Sequence, residues 1–513
     1  MANNLITDAI RQFALTAPDS LALQGAHNSL SYAALEGEIG QLTLKLAATV
    51  TSDCVIGIAM DNDPAWAVLD LTALELGLTT IPLPYFFSPA QIIHAIEDGG
   101  ISVIISDQPI LIDQLLMAHG KEVLEKTHFQ LAGKLVAQFI LKESQANRLP
   151  ANTAKITYTS GTTGNPKGVC LDVHAMQQVA VSLKQATHAT SADRHLSILP
   201  LSTLLENIAG LYVPLLAGAT SVLLPAAEVG LTGASGLNIS KMMAALHKSQ
   251  ATTTLLTPEL LQALISAVEA GVAKPENLRF IAVGGASVSP RLLQRAALLG
   301  LPVYEGYGLS ECASVVSLNT VDAQRTGSVG KPLPHVRLQL AADGEILVAG
   351  ACLLGYSNDK EVGAQKYYAT GDIGHLDADG YLYITGRKKN MFITSFGRNV
   401  APEWVERELN LSPLIAQAAV FGEARPWNTA VIVPVRDAQG NIAQLEEIEE
   451  AIAQVNADLP DYARVTSWIF AESIFSPQNG QLTANGRLKR EVIWQQYANR
   501  INSMYEEKLD AVL

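Results

Sequence analysis

From Val55 to Val283, apolar runs of strand length alternate with stretches of helix length, and that alternation leaves few folds open. Val55-Ile56-Gly57-Ile58-Ala59-Met60 has the texture of a strand buried on both faces. Ala65 to Leu76 follows as a helix, with Gly77 placed to end it. Thr79 to Leu83, Ile101 to Ile105, Leu196 to Leu199, Thr220 to Leu224, Thr253 to Leu256 and Phe280 to Val283 continue the series as strands. Strands spaced by helices predict parallel sheets with helices packed on their faces.

The texture changes after Val329. Val336 to Leu340, Gly344 to Val348 and Gly380 to Gly386 read as strands of a small, half-exposed β unit. Beyond Lys389 a compact α+β module is expected. Pro402 to Leu409 and Gln444 to Val455 are its helices, with a last helix from Arg490, and Ala416 to Phe421 and Ala430 to Pro434 are its strands. The glycine and charge run Gly386-Arg387-Lys388-Lys389 marks the boundary.

At 513 residues the chain needs two or more domains, and at 48% hydrophobic residues it can fill their cores. A formal net charge of −14 argues against nucleic acid as a partner. Cys54, Cys170, Cys312 and Cys352 lack metal-ligand or CxxC spacing and read as isolated reduced thiols. Asn207 to Ala227 is uncharged over the length of a membrane span. Its glycines and prolines, and Glu206 and Glu228 at its ends, favour a buried helix, turn and strand. With no export signal at Met1 to Leu5, the expected location is cytoplasmic, with no membrane span.

The strongest chemical signal is Thr159-Ser160-Gly161-Thr162-Thr163-Gly164-Asn165-Pro166-Lys167-Gly168. It follows the strand-like Ile156-Thr157-Tyr158. Glycines let backbone N–H groups converge on an anion, hydroxyls add donors, and Lys167 adds a positive charge. It is not a Walker A loop, because Pro166 precedes the lysine and Gly168 follows it.

This loop closely resembles the phosphate-loop signature of the adenylate-forming superfamily of acyl-CoA synthetases, peptide-synthetase adenylation domains and luciferases. Other elements resemble that family in order. Leu199-Pro200-Leu201-Ser202-Thr203-Leu204-Leu205-Glu206 resembles an acyl-pocket segment, with Thr203 where histidine is usual. Gly284-Gly285-Ala286 follows a strand, where the resemblance puts adenine and the acyl group. Gly306-Tyr307-Gly308-Leu309-Ser310-Glu311 resembles the element in which Tyr307 stacks on adenine, Ser310 meets phosphate and Glu311 holds Mg²⁺. Asp372 is implied as the ribose ligand and Arg387 as a bridge between ribose and phosphate. Lys389 falls at the family's hinge, and Gly397 in the loop implied to line the thiol path, with Gly284, Gly306 and Thr203 on the substrate side.

What the resemblance implies is an α/β protein in two parts. Residues 1–388 form a large AMP-binding domain of parallel-sheet α/β subdomains plus a small β unit. Residues 389–513 form a small mobile α+β domain. The implied reaction uses ATP and Mg²⁺ to turn a carboxylic acid, medium- or long-chain fatty acid foremost, into an acyl-adenylate. A thiol of CoA or of an acyl carrier protein then takes the acyl group. An aryl-acid ligase and a non-catalytic ATP-binding relative are the other readings, and either a monomer or a homodimer is expected. The chain departs from the family near its end. In Asn485-Gly486-Arg487-Leu488-Lys489-Arg490, Arg487 stands where the family has its adenylation lysine. Either Arg487 or Lys489 then supplies the cation, and arginine is bulkier and planar.

Overall fold

The computed structural model describes residues 4–51, 53–142, 149–159, 166–232, 236–357, 366–436, 439–483 and 486–510. Two large sheets dominate. The first has nine strands, in the order Lys331–Pro332, Ser317–Leu318, Val303–Tyr307, Phe280–Val283, Thr253–Leu256, Arg194–Leu196, Thr220–Val222, Leu21–Gln24 and Ser29–Ser31. Its centre is parallel, as the alternation predicts, and its two ends are finished by antiparallel pairs. The second sheet has eight strands. Its parallel centre is Lys155–Thr159, Thr79–Pro82, Val55–Ala59 and Val103–Ser106. It is extended by Lys167–Leu171 and Gly355–Tyr356 on one side. On the other stands the long hairpin Val123–Leu131 and Lys134–Leu141, which the sequence reading did not find.

Local signals set the elements where the site needs them. The helix Pro64–Leu76 starts on an Asp63 cap that accepts from the Ala65 N–H, and stops at Gly77 with φ +70°. Its residues from Pro64 to Leu74 are all buried, so it packs inside the first large core. The uncharged stretch after Glu206 is a π-helical turn, Asn207–Tyr212, then a short helix, Val213–Ala217, a turn at Gly218 and the strand Thr220–Val222. That is the buried helix, turn and strand expected from its composition. Among the described residues no helix is long and apolar enough to cross a membrane.

One buried ionic cluster joins these pieces. Lys155, at the start of the strand that leads to Thr159, lies 2.7 Å from Asp70 and 2.9 Å from the Tyr212 hydroxyl, and also meets Asn207. Tyr212 and Asn207 reach Asp70 as well, at 2.6 and 3.1 Å. Desolvation pushes the Lys155 pKa down, and Asp70 opposes it. Removing one partner would leave a buried charge uncompensated, a loss of about 3–5 kcal/mol. The cluster therefore locks the base of the phosphate loop to the segment that carries Thr203 and Glu206.

The small β unit is a four-stranded antiparallel sheet, Val336–Leu340, Glu345–Gly350, Tyr368–Leu376 and Leu382–Arg387. Asp372, the ribose ligand implied by the resemblance, lies within the nine-residue strand Tyr368–Leu376. One expectation fails: the cysteines are not all isolated, since the Cys312 and Cys352 sulfurs lie 3.7 Å apart. Their segments are far apart in sequence and meet only through this sheet's packing.

After Lys389 come a short hairpin, Phe392–Ile393 with Asn399–Val400, and a three-stranded sheet of Ile415–Phe421, Asn428–Pro434 and Val465–Phe470. The helices Pro402–Leu409, Leu445–Asp458 and Arg490–Asp510 accompany it. This region touches the rest of the chain mainly through polar contacts, with Leu411 packed against the core of the nine-stranded sheet. Ser289 donates to Glu408 at 3.2 Å, Arg407 donates to Ser287, and Arg291 pairs with Asp458. Such an interface is more easily parted than the apolar cores on either side of it.

Candidate active site

A cavity of about 400 Å³ opens where the two large sheets and the C-terminal region meet. Its floor is a face of the nine-stranded sheet. Thr159, at the end of its strand in the second sheet, forms part of another wall, and Arg487 reaches in from the C-terminal side.

The mouth is built from glycine-rich strand ends. Gly284, Gly285 and Ala286 follow the strand Phe280–Val283, and Gly306, Tyr307 and Gly308 end the neighbouring one. Gly285 has φ +85°, a conformation that glycine adopts without strain. Gly308 is required for a different reason: a Cβ there would stand 1.6 Å from the Ser314 carbonyl oxygen. Ser314 itself has φ +91° and lines the cavity, and Ala313 beside it has φ +48°. Two successive non-glycine residues in left-handed conformations store backbone strain two and three positions after Glu311. The Leu353 N–H donates to the Glu311 carbonyl at 2.7 Å and fixes the turn that presents the carboxylate.

Asp372 is buried, with one oxygen 2.7 Å from the Tyr307 hydroxyl and the other 3.0 Å from Arg387 Nε. An ionised carboxylate has about four acceptor positions, so these bonds leave room for a diol. Burial and then the Asp372 charge raise the Tyr307 pKa far above its ordinary value, so its hydroxyl stays a donor. Glu305, on the same strand, is pushed up to about 7 by burial, against a bond from the Val288 N–H and the charge of Arg407.

Arg487 donates to the Gly285 carbonyl at 3.3 Å. Desolvation in the cleft and then the like charge of Arg387 lower its pKa, while Asp372 and Glu311 raise it. The residue still meets solvent at the mouth, and an arginine so placed stays charged. Lys389 is depressed in the same way, by desolvation, then by Arg387 and Arg487. Three cations thus crowd one spot beside two carboxylates, an arrangement that a polyanion relieves.

Tyr356 ties the phosphate-loop lysine to the same place. The Lys167 ammonium stands over its ring at 5.1 Å, and its hydroxyl lies 3.4 Å from Glu311 and 3.0 Å from the Tyr368 hydroxyl. Lys167 begins a strand, in keeping with Pro166 and Gly168 beside it. Ser160, Gly161, Thr162, Thr163 and Gly164 lie outside the described residues.

The structure therefore gathers Thr159, Gly284, Gly285, Ala286, Gly306, Tyr307, Gly308, Ser310, Arg487 and Thr203 on the cavity wall. Asp372, Arg387, Glu311 and Lys167 join through the contacts above. Lys489 is not on that wall; its N–H donates to the Gln481 carbonyl, and Arg487 is the residue that enters. Gly397 is not on the wall either. It has φ +72° at a hairpin tip beside Phe396, which is 76% exposed. Lys388 pairs with Asp343 and Glu345 at 2.6 and 2.8 Å on the small sheet, apart from the site.

Sequence reasoning missed the deep part of the cavity. His195, Thr253 and Phe280 line it, one from each of three adjacent strands. Their signal was strand parity: Phe280, Ala282 and Gly284 alternate toward one face, so Gly284 on the cavity implied the other two. Thr203 spends its hydroxyl on the Pro200 carbonyl at 2.7 Å. Glu206 does not line the cavity and instead meets His195 at 2.9 Å behind the wall.

Comparisons with known proteins agree with this geometry. Residues 10–356 match the model of the AMP-binding enzyme family, and residues 389–509 match that of the AMP-binding enzyme C-terminal domain. The chain therefore belongs to the AMP-binding enzyme family, within the adenylate-forming superfamily. It is 30% identical to an indoleacetate–CoA ligase of Aromatoleum aromaticum, over 84% of this chain and 89% of that protein. It is 28% identical to a long-chain-fatty-acid–CoA ligase of Mycobacterium bovis, over 86% of each. Its fold resembles that of an anthranilate CoA ligase in complex with anthranoyl-AMP, with a TM-score of 0.77 at 19% identity, over 100% of this chain and 98% of that one.

Proposed function

We propose that this protein is an ATP-dependent acid–thiol ligase, which converts a carboxylic acid to its acyl-adenylate and then passes the acyl group to the thiol of CoA. The observation that carries this reading is Arg487 inside a cavity whose wall residue Tyr307 bonds Asp372, itself paired with Arg387. The relatives support it, being CoA ligases along most of their length.

In the first step a carboxylate oxygen attacks the α-phosphorus of ATP and pyrophosphate leaves in line. Asp372 holds the ribose diol, and Tyr307 sets that carboxylate in place. Arg487 offers two parallel N–H donors, one for the acid and one for the α-phosphate, and takes the role that a lysine has elsewhere in the family. Thr159 and Lys167 serve the outer phosphates with the loop between them. The donor set at Glu311, a hard carboxylate oxygen near the Ser310 hydroxyl, fits Mg²⁺, which when bound neutralises phosphate charge.

In the second step the region from Lys389 onward turns as a unit about that residue. The polar contacts of Arg407, Glu408 and Asp458 part, Arg487 withdraws, and the hairpin of Gly397 moves to line the entry of the thiol. The thiol attacks the acyl carbonyl and AMP leaves. Enclosure of the mixed anhydride keeps it from hydrolysis meanwhile.

The relatives' acids span fatty and aryl types, so the acid is set by this cavity and not by the family. The volume of about 400 Å³ must also serve the nucleotide end, which favours a medium-chain or aryl-alkyl acid over a long chain. Pyrophosphate exchange with Mg²⁺ and a panel of such acids, followed by consumption of free CoA thiol, tests the proposal. Acid-dependent exchange and thiol loss are expected. No exchange with any acid would overturn it, and exchange without thiol loss would move the acceptor to a carrier protein.

A further inference from the structure

The deep end of the cavity sets the polar His195 and Thr253 among apolar residues such as Leu183, Ala189 and Phe280, where an alkyl chain would call for an apolar wall throughout. Register makes the floor a ladder of rows. His195, Thr253 and Phe280 stand side by side on three parallel strands, and Leu255 and Ala282 form the next row toward the mouth. Gly284 lies beyond them, four positions from Phe280 along its segment, or about 13 Å at roughly 3.3 Å per residue. The acid carboxylate belongs at the Gly284 and Gly285 end, beside Arg487. With bonds of about 1.5 Å in a zigzag, the far row lies on the order of ten bonds from that carboxylate.

Two side chains, His195 and Thr253, make the far row polar, and Glu206 backs them from behind the wall. Glu206 Oε1 lies 2.9 Å from His195 Nε2, and His195 Nδ1 lies 3.0 Å from Thr253 Oγ1. Thr253 lines the cavity and is half-buried, whereas Glu206 is fully buried. The backbone makes room for this relay: a Cβ at Gly210 would stand 2.2 Å from Glu206 Oε1 and 3.0 Å from His195 Nε2. Beyond the row, Asp193 closes the end in a bidentate pair with Arg279 at 2.7 and 2.6 Å, so no lone charge faces inward. The relay also holds unspent capacity. Glu206 Oε2 and Ser197 Oγ are buried without a hydrogen-bond partner among the described residues.

A fixed order of donors follows. With the proton of a neutral His195 on Nε2 and directed at Glu206, Nδ1 is an acceptor, and the Thr253 hydroxyl donates to it. The remaining lone pairs of Thr253 then point at the cavity. With a charged His195, both nitrogens donate and the Thr253 proton is free instead. A substrate hydroxyl satisfies either state, and a methyl group satisfies neither. A wall built this way costs binding when an apolar group covers it, because its polar atoms lose water and gain no partner.

We infer that the acid this enzyme activates carries a hydroxyl, or another group able to donate a hydrogen bond, at the end remote from its carboxylate, and that Thr253, held by His195 and Glu206, reads that group. The inference rests on the ligase reading above and names the substrate class of that same site.

Matched acids test it: decanoate against 10-hydroxydecanoate, and 3-phenylpropanoate against 3-(4-hydroxyphenyl)propanoate, in acid-dependent pyrophosphate release. In the pair that turns over faster, the hydroxylated acid is expected to have at least about tenfold higher kcat/KM. Thr253→Val keeps the shape and removes the hydroxyl. It should bring that ratio close to one by loss on the hydroxylated acid alone, and Thr253→Ser should restore the preference. An unchanged ratio in Thr253→Val, or an equal or better rate with the plain acid in the unaltered protein, overturns the inference and leaves the ligase reading standing. No release with any acid removes both.

Discussion

The two ends of the cavity are made in opposite ways. At the mouth, charged and glycine residues lie on strand ends and turns, apart from Asp372 at mid-strand, and each offers a ligand a charge or a backbone conformation. Asp372, Arg387, Arg487 and Gly285 are of this kind. At the deep end, Phe280, Thr253 and His195 lie within strands and act through the shape and polarity of a shared row. On the proposed function the mouth serves the part of the reaction that does not vary, the nucleotide and the carboxylate, and the deep end the part that does. Substitutions at the mouth should change rate or nucleotide affinity for every acid alike, and substitutions at the deep end should re-rank the acids and leave ATP untouched.

Arg487 gives the largest test. It is the cation that enters the cavity from the C-terminal side, and Lys489 is not on the wall. Arg487→Ala should lower the rate of acid-dependent pyrophosphate exchange by about 10²–10³-fold, the cost of one well-placed donor to developing charge. On the proposed rotation, which withdraws Arg487 before the second step, thioester formation from a supplied acyl-adenylate should fall far less. An equal loss in both half-reactions would show that Arg487 holds the structure together and does not act on the first step. A full rate in the first would return Lys489 to the role.

Asp372→Ala comes next. A hydrogen bond to a charged group contributes about 1.5–3 kcal/mol, so the KM for ATP should rise by roughly 10–100-fold. The order of acids should not change. Tyr307 would lose its partner too, and Arg387 its counter-charge, so part of the rise reflects their displacement. A changed order of acids in this variant would break the division between the two ends.

That division also separates what could be read from the sequence from what could not. The mouth was legible because its chemistry is local. Gly306-Tyr307-Gly308 with Ser310 and Glu311 lies on one short stretch, and so does Gly284-Gly285-Ala286. The parallel centre of each sheet was legible for a similar reason, since buried strands and their helices alternate along the chain. The antiparallel edges, such as the hairpin Val123–Leu131 with Lys134–Leu141, were not. That first strand is mostly exposed and carries Glu125, Lys126 and His128, so it lacks the apolar texture of the others. The deep end was hidden because it depends on pairing. His195 meets Thr253 only when Arg194–Leu196 lies beside Thr253–Leu256 in one register, and a shift by one residue would turn either side chain to the opposite face. Glu206 shows the limit most clearly. It lies in the segment that resembles an acyl pocket, yet it bonds His195 from behind the wall.

Phe280 provides the smallest and most selective test. Its ring is buried, stacks on Tyr304 at 4.3 Å between centroids, and forms part of the far row. Phe280→Leu keeps an apolar side chain, removes the ring and its stack on Tyr304, and opens the floor, at a stability cost of about 1–3 kcal/mol. The preferred acid should lengthen by one or two carbons. The kcat/KM of the acid that was best before should fall by about tenfold, within the range that a methylene of fit is worth in an apolar pocket. The KM for ATP and the response to Arg487→Ala should stay as they were. The hydroxyl preference read by Thr253 should persist on the longer acids only where their polar end still reaches the row. A loss spread evenly over all acids, with ATP affinity falling alongside, would mean that the two ends are mechanically one and that the register of the sheet, not the individual side chain, sets the choice of substrate.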